Sequence, residues 1–145
     1  MGAGTYWGKA SQAKRATCDD RLQRWGDRLL AHPELPYDLA WIEGHRDKAT
    51  QDRYQREKRS KVRWPNSRHN TMPAMACDLV PIIGGKKTWA REPMERIARI
   101  GLAIWAEMVE AGEVTGTLRW GGDWDMDGDS EDERFFDGAH FEILR

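Results

Sequence analysis

The stretch SRHNTMPAMACDLVP, residues 67–81, places His69 and Asp78 on either side of a short run of small and apolar residues. The apolar character of residues 74–81 predicts a buried strand that ends at Pro81. The two polar residues have two alternative explanations. Either His69 lies on the surface in a loop that enters the strand, or His69 and Asp78 are two ligands of one metal ion whose third ligand lies elsewhere.

The composition indicates a globular protein with a single domain over residues 1–145. A chain of this length can bury one core without disulfides, and 39% hydrophobic and 32% charged residues are not typical of disorder. The net charge of -1 provides no overall basic field, so we expect no nucleic-acid partner. Residues 46–68 are rich in Lys and Arg, but a solvated helix face is the usual origin of such a run. Residues 1–12 are interpreted as a loose N-terminal arm.

The cysteines and the N-terminal sequence indicate where the protein works. Cys18 and Cys77 provide neither a disulfide framework nor a paired-thiolate zinc pattern, and we expect Cys77 to pack as a small hydrophobic residue. No stretch resembles a signal peptide, and no segment is long enough to span a membrane. We therefore expect a protein that is made in the cytoplasm and does not insert into membranes. We also expect it to be a monomer.

The hydrophobic pattern alternates between helical and strand-like segments. The clearest helix covers residues 92–112, where Met94, Ile97, Ile104 and Met108 recur on one face. The predicted elements in chain order are a helix over 17–32 with Thr17 as its cap, a strand over 37–44, a helix over 47–58, a strand over 74–81, the helix over 92–112, and strands within 115–124 and 138–144. This order predicts an α+β fold in which helices pack on a small antiparallel sheet.

A second histidine could complete a metal site. His140 lies at the start of the last predicted strand, three residues after Asp137. Catalytic zinc typically has three protein ligands with nitrogen, oxygen or sulfur donors, and it lowers the pKa of a bound water to about 7. His69, Asp78 and His140 would supply such a set, and Asp137 is a carboxylate near a ligand that could take the proton. The spacing alone does not distinguish this site from an incidental cluster at the sheet edge.

These residues resemble the signature of the zinc peptidases that cut peptidoglycan stem peptides. That family comprises D-alanyl-D-alanine carboxypeptidases and L-alanyl-D-glutamate endopeptidases and shares its fold with the hedgehog signalling domain. Its signature is Ser-x-His, an Asp in a small-residue stretch, and a carboxylate three residues before a final His, matched by Ser67, His69, Asp78, Asp137 and His140. The segments ATCDDRLQRW and TLRWGGDWDMDGD are also similar to phage endolysins of this family. The interval between His69 and Asp78 is longer than in the carboxypeptidases, which favours the phage branch.

The resemblance implies a role for each matched residue. His69, Asp78 and His140 would hold one zinc ion, and Asp137 would be the general base, although a DG pair also favours a turn. Arg46, in the segment EGHRDKATQDRYQ, would stabilise the oxyanion; an ordinary surface salt bridge is the alternative.

The resemblance also implies two substrate-binding residues. Ser67 would hydrogen-bond the substrate or support a ligand, and a turn-forming role is the alternative. Trp120 and Trp124 flank a Gly-Gly-Asp run and could line a substrate groove, because glycines let a peptide approach closely. Most of the eight tryptophans must nevertheless belong to the core, so we assign substrate contact to Trp124 only.

The acidic run DWDMDGDSEDER nearly matches a calcium-binding loop. Asp123, Asp125 and Asp127 occupy alternating ligand positions, and Gly128 lies at the turn. The bidentate glutamate expected at the twelfth position is Arg134 instead. A solvated acidic loop is the alternative to a Ca²⁺ site.

The resemblance therefore implies a zinc-dependent phage endolysin that hydrolyses the L-alanyl–D-glutamate bond of peptidoglycan. We expect it to accumulate in the host cytoplasm until another protein opens the membrane, and then to act on the cell wall. One alternative is a D-alanyl-D-alanine carboxypeptidase or dipeptidase with the same site. Alternatives of other classes are a non-catalytic domain with a structural zinc ion and, more remotely, a nucleic-acid binder built on residues 46–68.

Overall fold

A five-stranded antiparallel sheet forms the centre of the molecule in a computed structural model that describes residues 6–131 and 136–144. The helices and strands are α1 (Lys9–Arg15), α2 (Asp20–Leu30), β1 (Asp38–Glu43), α3 (Lys48–Arg56), a 3-10 turn (Arg68–Asn70), β2 (Ala76–Ile83), β3 (Lys86–Lys87), α4 (Arg91–Glu110), β4 (Thr117–Trp120) and β5 (His140–Leu144). The predicted α+β class is confirmed. None of the helices in these ranges combines the length and the apolar character needed to cross a bilayer.

Strand β2 is the central strand of the sheet. The strand order is β1-β2-β5-β4, and the short β3 pairs with the end of β2. The sequence predicts that Pro81 and the Gly84-Gly85 pair close this strand; Pro81 does not end it, because β2 continues to Ile83, the residue directly before Gly84. Pro81 joins the ladder through its carbonyl, which accepts a hydrogen bond from the Thr88 N–H at 3.0 Å, so its missing N–H does not end the strand.

Helices α2 and α4 pack against each other and against the sheet. The Trp25 indole donates a hydrogen bond to the Gly101 carbonyl at 2.8 Å, and its ring centroid lies 5.0 Å from that of Phe141. A Cβ at position 101 would lie 2.9 Å from Trp25, so this glycine allows the close approach of the two helices. The predicted apolar face of α4 is confirmed, since Met94, Ile97, Ile104 and Met108 are all buried.

The N-terminal segment differs from its prediction. Residues 1–5 lie outside the described ranges, but the prediction that residues up to 12 form a loose arm is wrong, because α1 begins at Lys9. Trp7 anchors this segment. Its ring packs edge-on against that of Trp41, with 5.3 Å between the ring centroids, and its Nε1 donates a hydrogen bond to Asp27 Oδ1 at 2.8 Å. Burial of one large aromatic side chain thus fixes a stretch whose other residues are mostly small or polar.

The start of α2 also differs from its prediction. Asp19, not Thr17, caps the helix, and its side chain accepts a hydrogen bond from the Arg21 N–H at 2.9 Å. The Thr17 hydroxyl instead donates to the Lys14 carbonyl at 2.7 Å and accepts from the His45 N–H at 2.8 Å. These bonds connect the end of α1 to the loop that follows β1.

Candidate metal centre

Asp78 and His140 face each other on adjacent strands. They are paired in the register of β2 with β5, and Asp78 lies inside β2. The Leu79 N–H donates to the opposite Ala139 carbonyl at 2.9 Å. The Asp78–His140 pair therefore occupies a non-hydrogen-bonded position, where facing side chains approach most closely.

His69 reaches these two residues from outside the sheet. It lies in the 3-10 turn Arg68–Asn70, which Ser67 caps by accepting the His69 N–H at 3.2 Å. Asn70 completes a capping box, because its Oδ1 accepts a hydrogen bond from the Ser67 N–H at 3.0 Å. The turn is joined to the preceding loop by the Arg46 N–H, which donates to the His69 carbonyl at 2.7 Å. Ser67 therefore has the turn-forming role, and its contact with substrate remains a prediction.

The three predicted ligands converge on one point. His69 Nε2, Asp78 Oδ1 and His140 Nδ1 are each 3.2 Å from the other two. A tetrahedral zinc ion with ligand bonds of about 2.0–2.1 Å separates its ligand atoms by about 3.3–3.4 Å. The triangle therefore fits three corners of a zinc tetrahedron. His69 is 2% exposed, so the alternative of a surface histidine is wrong.

Hydrogen bonds fix the orientation of both imidazole rings. His69 Nδ1 lies 2.8 Å from the Gly44 carbonyl, which can only accept, so Nδ1 carries the proton and the Nε2 lone pair faces the triangle. His140 uses the opposite nitrogens: its Nε2 lies 2.7 Å from Glu142 Oε1, leaving Nδ1 for the triangle. Such outer partners are typical of histidines that bind metals.

The electrostatics of the cluster favour a positive charge at its centre. Burial acts to lower the pKa of His140, but the hydrogen bonds with Asp78 and Glu142 outweigh it and raise the pKa to about 10. Burial acts to raise the pKa of Asp78, yet the charge of His69 and the bonds from both histidines hold it well below its usual range. A divalent cation at the centre of the triangle would therefore compete with the proton on His140.

Asp137 lies beside the triangle in the loop before β5. Its backbone is fixed on two sides, because its N–H donates to the Gly121 carbonyl at 2.9 Å and its carbonyl accepts the His140 N–H at 3.1 Å. Burial, together with the negative charge of Asp78, raises the pKa of the Asp137 carboxyl to about 6. This carboxyl can therefore gain and lose a proton near neutral pH, as the role of a general base requires.

Arg46 is buried near the same site. Its Nη1 donates to Gln51 at 2.8 Å, its Nε donates to Glu43 at 3.3 Å, and its guanidinium lies 4.6 Å from the centroid of the Tyr54 ring. With 8% exposure it is not an ordinary surface salt bridge, so that alternative is wrong. These contacts hold a permanent positive charge at the edge of the pocket described next.

A pocket of about 290 Å³ opens onto the metal centre. The predicted functional residues that line it are Arg46, Ser67, Trp124, Asp137 and His140. The ring centroid of Trp124 lies 5.4 Å from that of His140, so Trp124 forms a wall next to a ligand. Trp120 does not line this pocket: it is buried and donates to the Gly138 carbonyl at 2.8 Å, which makes it a core residue.

The acidic loop brings its three aspartates together. Asp123, Asp125 and Asp127 each offer a carboxylate oxygen within 4.8 Å of the others. The loop is also closed by the Gly128 N–H, which donates to Asp123 at 2.8 Å. Arg134, at the twelfth position, lies outside the described residues. Binding of Ca²⁺ here remains a prediction.

Two functional groups were not predicted from the sequence. Glu142 follows His140 by two positions in a strand, and this spacing places both side chains on one face, so the signal was present. Glu142 is itself bound by Arg119 Nη2 at 2.6 Å. The Gly44 carbonyl that orients His69 is a backbone group, and no side-chain pattern could indicate it.

The fold and the site together define a class of protein. Two histidines and an aspartate form a donor triangle at a pocket that also contains the half-buried Asp137 carboxyl group and the buried Arg46. Such an arrangement on an α+β fold is typical of hydrolases, and its three donors could hold a metal ion. The chain belongs to the phage L-alanyl-D-glutamate peptidase family, whose family model matches residues 4–144.

Individual relatives agree with this assignment. The chain is 33% identical over 147 residues to the L-alanyl-D-glutamate peptidase of Escherichia phage T5, and the match covers 95% of this chain and 97% of that protein. The crystal structure of the Serratia marcescens L-Ala D-Glu endopeptidase ChiX superposes with a TM-score of 0.68 and 24% identity, covering 94% of this chain and 87% of that one. The second similarity supports the fold.

Proposed function

We propose that this protein is a zinc-dependent endopeptidase that hydrolyses the L-alanyl–D-glutamate bond of peptidoglycan stem peptides. The observation that carries the proposal is the 3.2 Å triangle of His69, Asp78 and His140 at the pocket that also contains Asp137 and Arg46. Membership of the phage L-alanyl-D-glutamate peptidase family supports the choice of bond.

The residues around the triangle divide the remaining chemistry. Zinc held by the three ligands would activate a water molecule and polarise the scissile carbonyl. The Asp137 carboxylate accepts the proton of the attacking water and delivers it to the leaving nitrogen, which its position in the pocket supports. Arg46 stabilises the negative charge on the carbonyl oxygen, and loss of one such donor typically lowers kcat by about 10²–10³-fold.

We further propose that the enzyme serves in phage lysis. It accumulates as a monomer in the host cytoplasm and reaches the peptidoglycan when another protein opens the membrane. The phage family assignment and the phage T5 relative support this setting.

Digestion of purified peptidoglycan tests the proposed activity. Zinc-loaded protein should release fragments whose new amino terminus is D-glutamate, as measured by mass spectrometry, and a chelator should abolish the release. Asp137→Asn should bind zinc but lose at least about 10²-fold in rate. Asp52→Asn, on an exposed face of α3, is the matched control and should remain active.

Other outcomes would favour the alternatives. Release of free D-alanine alone would assign a carboxypeptidase. Zinc binding without cleavage of any bond would assign a domain whose zinc is structural.

A further inference from the structure

Basic residues form one side of the pocket at the metal centre. Arg59 and Lys61 lie in the segment before the 3-10 turn, and Arg68 is the first residue of that turn. We call these three residues the basic wall. The acidic residues that line the same pocket are Asp137 and Glu142, and Glu142 is already bound by Arg119 at 2.6 Å. The basic wall therefore gives this side of the pocket a positive potential, which attracts anionic groups.

Arg68 is the member of the basic wall nearest in the chain to a metal ligand. It precedes His69 in the 3-10 turn, and its carbonyl accepts the Met75 N–H at 3.0 Å, which fixes its backbone. Its side chain is half-buried, and its guanidinium has no hydrogen-bond or ion-pair partner within residues 6–131 and 136–144. By contrast, Arg59 pairs with Glu57 at 3.4 Å and stacks on Tyr54. Arg68 thus has a fixed backbone, and its guanidinium is available to bind an anion.

The chemistry of the substrate places an anion next to the scissile amide in this pocket, an argument that depends on the proposed function. On the acyl side of the L-alanyl–D-glutamate bond, alanine carries no charge. On the amine side, D-glutamate continues the stem through its γ-carboxyl group, so its α-carboxylate is free. That carboxylate is attached to the carbon that bears the scissile nitrogen. It must enter the pocket together with the reacting amide.

We propose that Arg68 binds the α-carboxylate of the D-glutamyl residue and makes the enzyme selective for it. The planar guanidinium can bind both carboxylate oxygens at once. Arg59 and Lys61 add positive potential on the same side of the pocket. The α-carboxamide form of the stem peptide lacks the charge and one acceptor, so it should bind less well. One charge-assisted bond of this kind corresponds to about 10- to 100-fold in kcat/KM.

A pair of synthetic peptides tests this subsite. Both contain N-acetyl-L-alanyl-γ-D-glutamyl-L-lysine, one with a free α-carboxylate and the other with an α-carboxamide. Wild-type protein should cleave the acid about tenfold or more better than the amide in kcat/KM. Arg68→Gln should lose this preference, mainly through slower cleavage of the acid, while Arg68→Lys should keep part of it. Arg63→Gln, an exposed arginine outside the pocket, should keep the wild-type preference.

Equal cleavage of the two peptides by wild-type protein, or an unchanged preference in Arg68→Gln, would overturn the proposal. If wild-type protein cleaves neither peptide, the proposed function fails separately, and calorimetric binding of the same peptides then decides about the subsite. Tighter binding of the acid than of the amide by wild-type protein, lost in Arg68→Gln, would still support the carboxylate subsite. Equal binding of the two peptides by wild-type protein would refute the subsite. Circular dichroism melts show that each variant is folded.

Discussion

Glu142 links His140 to Arg119: its Oε1 accepts from His140 Nε2 at 2.7 Å, and its Oε2 accepts from Arg119 Nη2 at 2.6 Å. Burial acts to raise the pKa of Glu142, but the bonds from these two partners lower it to about 2. Glu142 is therefore ionised under all ordinary conditions. Its negative charge makes His140 Nδ1 a better donor for a metal ion.

Replacement of Glu142 should weaken metal binding without removing a ligand. Glu142→Gln keeps the size of the side chain and removes its charge, so we expect zinc affinity to fall about 10- to 100-fold. Competition with a chromophoric chelator measures this affinity. Glu110→Gln, at the exposed end of α4, is the control and should bind zinc as the wild type does. An unchanged affinity in Glu142→Gln would contradict the assigned role.

Each corner of the donor triangle should be required for stoichiometric zinc. His69→Ala, Asp78→Asn and His140→Ala should each lose the tightly bound ion and the hydrolytic activity, because two remaining ligands hold zinc weakly. Elemental analysis after gel filtration measures the zinc content. His32→Ala, outside the cluster, should retain one ion per chain. Full zinc content in any of the three ligand variants would exclude that residue from the site.

The Asp19 cap should stabilise the fold in a pH-dependent manner. Asp19→Ala removes the hydrogen bond to the Arg21 N–H and should lower the free energy of unfolding by about 1 kcal/mol at pH 7. The Arg21 side chain holds the pKa of Asp19 below its usual value of 3.8. The stabilisation is therefore complete above pH 3.8 and is lost as the pH falls through the lower, folded-state pKa.

Urea unfolding at pH 7 and at progressively lower pH measures this effect. The difference between wild type and Asp19→Ala should narrow as the solution becomes acidic. Asp20→Ala removes only an exposed pair with Arg24 and should cost less than half as much at pH 7. Equal costs for the two variants would rule out the cap as the main source of the effect.

Gly121 should be essential for activity because of the space it leaves for Asp137. A Cβ at this position would lie 2.3 Å from the Asp137 carbonyl oxygen, so Gly121→Ala must displace the loop that carries the proposed base. A displacement of about 1 Å typically costs about 10²-fold in rate. Rates on peptidoglycan, with zinc content measured in parallel, test this. Gly8→Ala, where a Cβ meets nothing within 4 Å, should be fully active.

The sequence was sufficient to predict the parts of the fold that depend on repeated patterns. The apolar face of α4 recurs at helical spacing, and the strands are short apolar runs, so both could be located. The three proposed ligands could be identified because the family signature indicates which residues, distant in the sequence, lie close together in the fold. Composition and spacing had left the metal site and an incidental cluster equally open.

The parts that could not be predicted depend on single tertiary contacts. Trp7 fixes the N-terminal segment through Trp41, and nothing near Trp7 in the sequence indicates that partner. Strand β2 passes through Pro81, whose carbonyl accepts a hydrogen bond from the N–H of Thr88, the residue after β3. The orientation of His69 depends on the backbone carbonyl of Gly44, and the sequence around Gly44 does not indicate that His69 is its partner.

Because Asp78 and His140 are paired across β2 and β5, metal binding depends on the correct register between these two strands. A register shift of one residue between these strands would turn His140 to the opposite face of the sheet and leave the metal site with only two of its three ligands. Only the correctly aligned sheet can gain the free energy of binding the ion. A bound cation would thus stabilise the correct register relative to registers shifted by one residue. A chain with a shifted register would neither bind the metal ion nor hydrolyse the substrate.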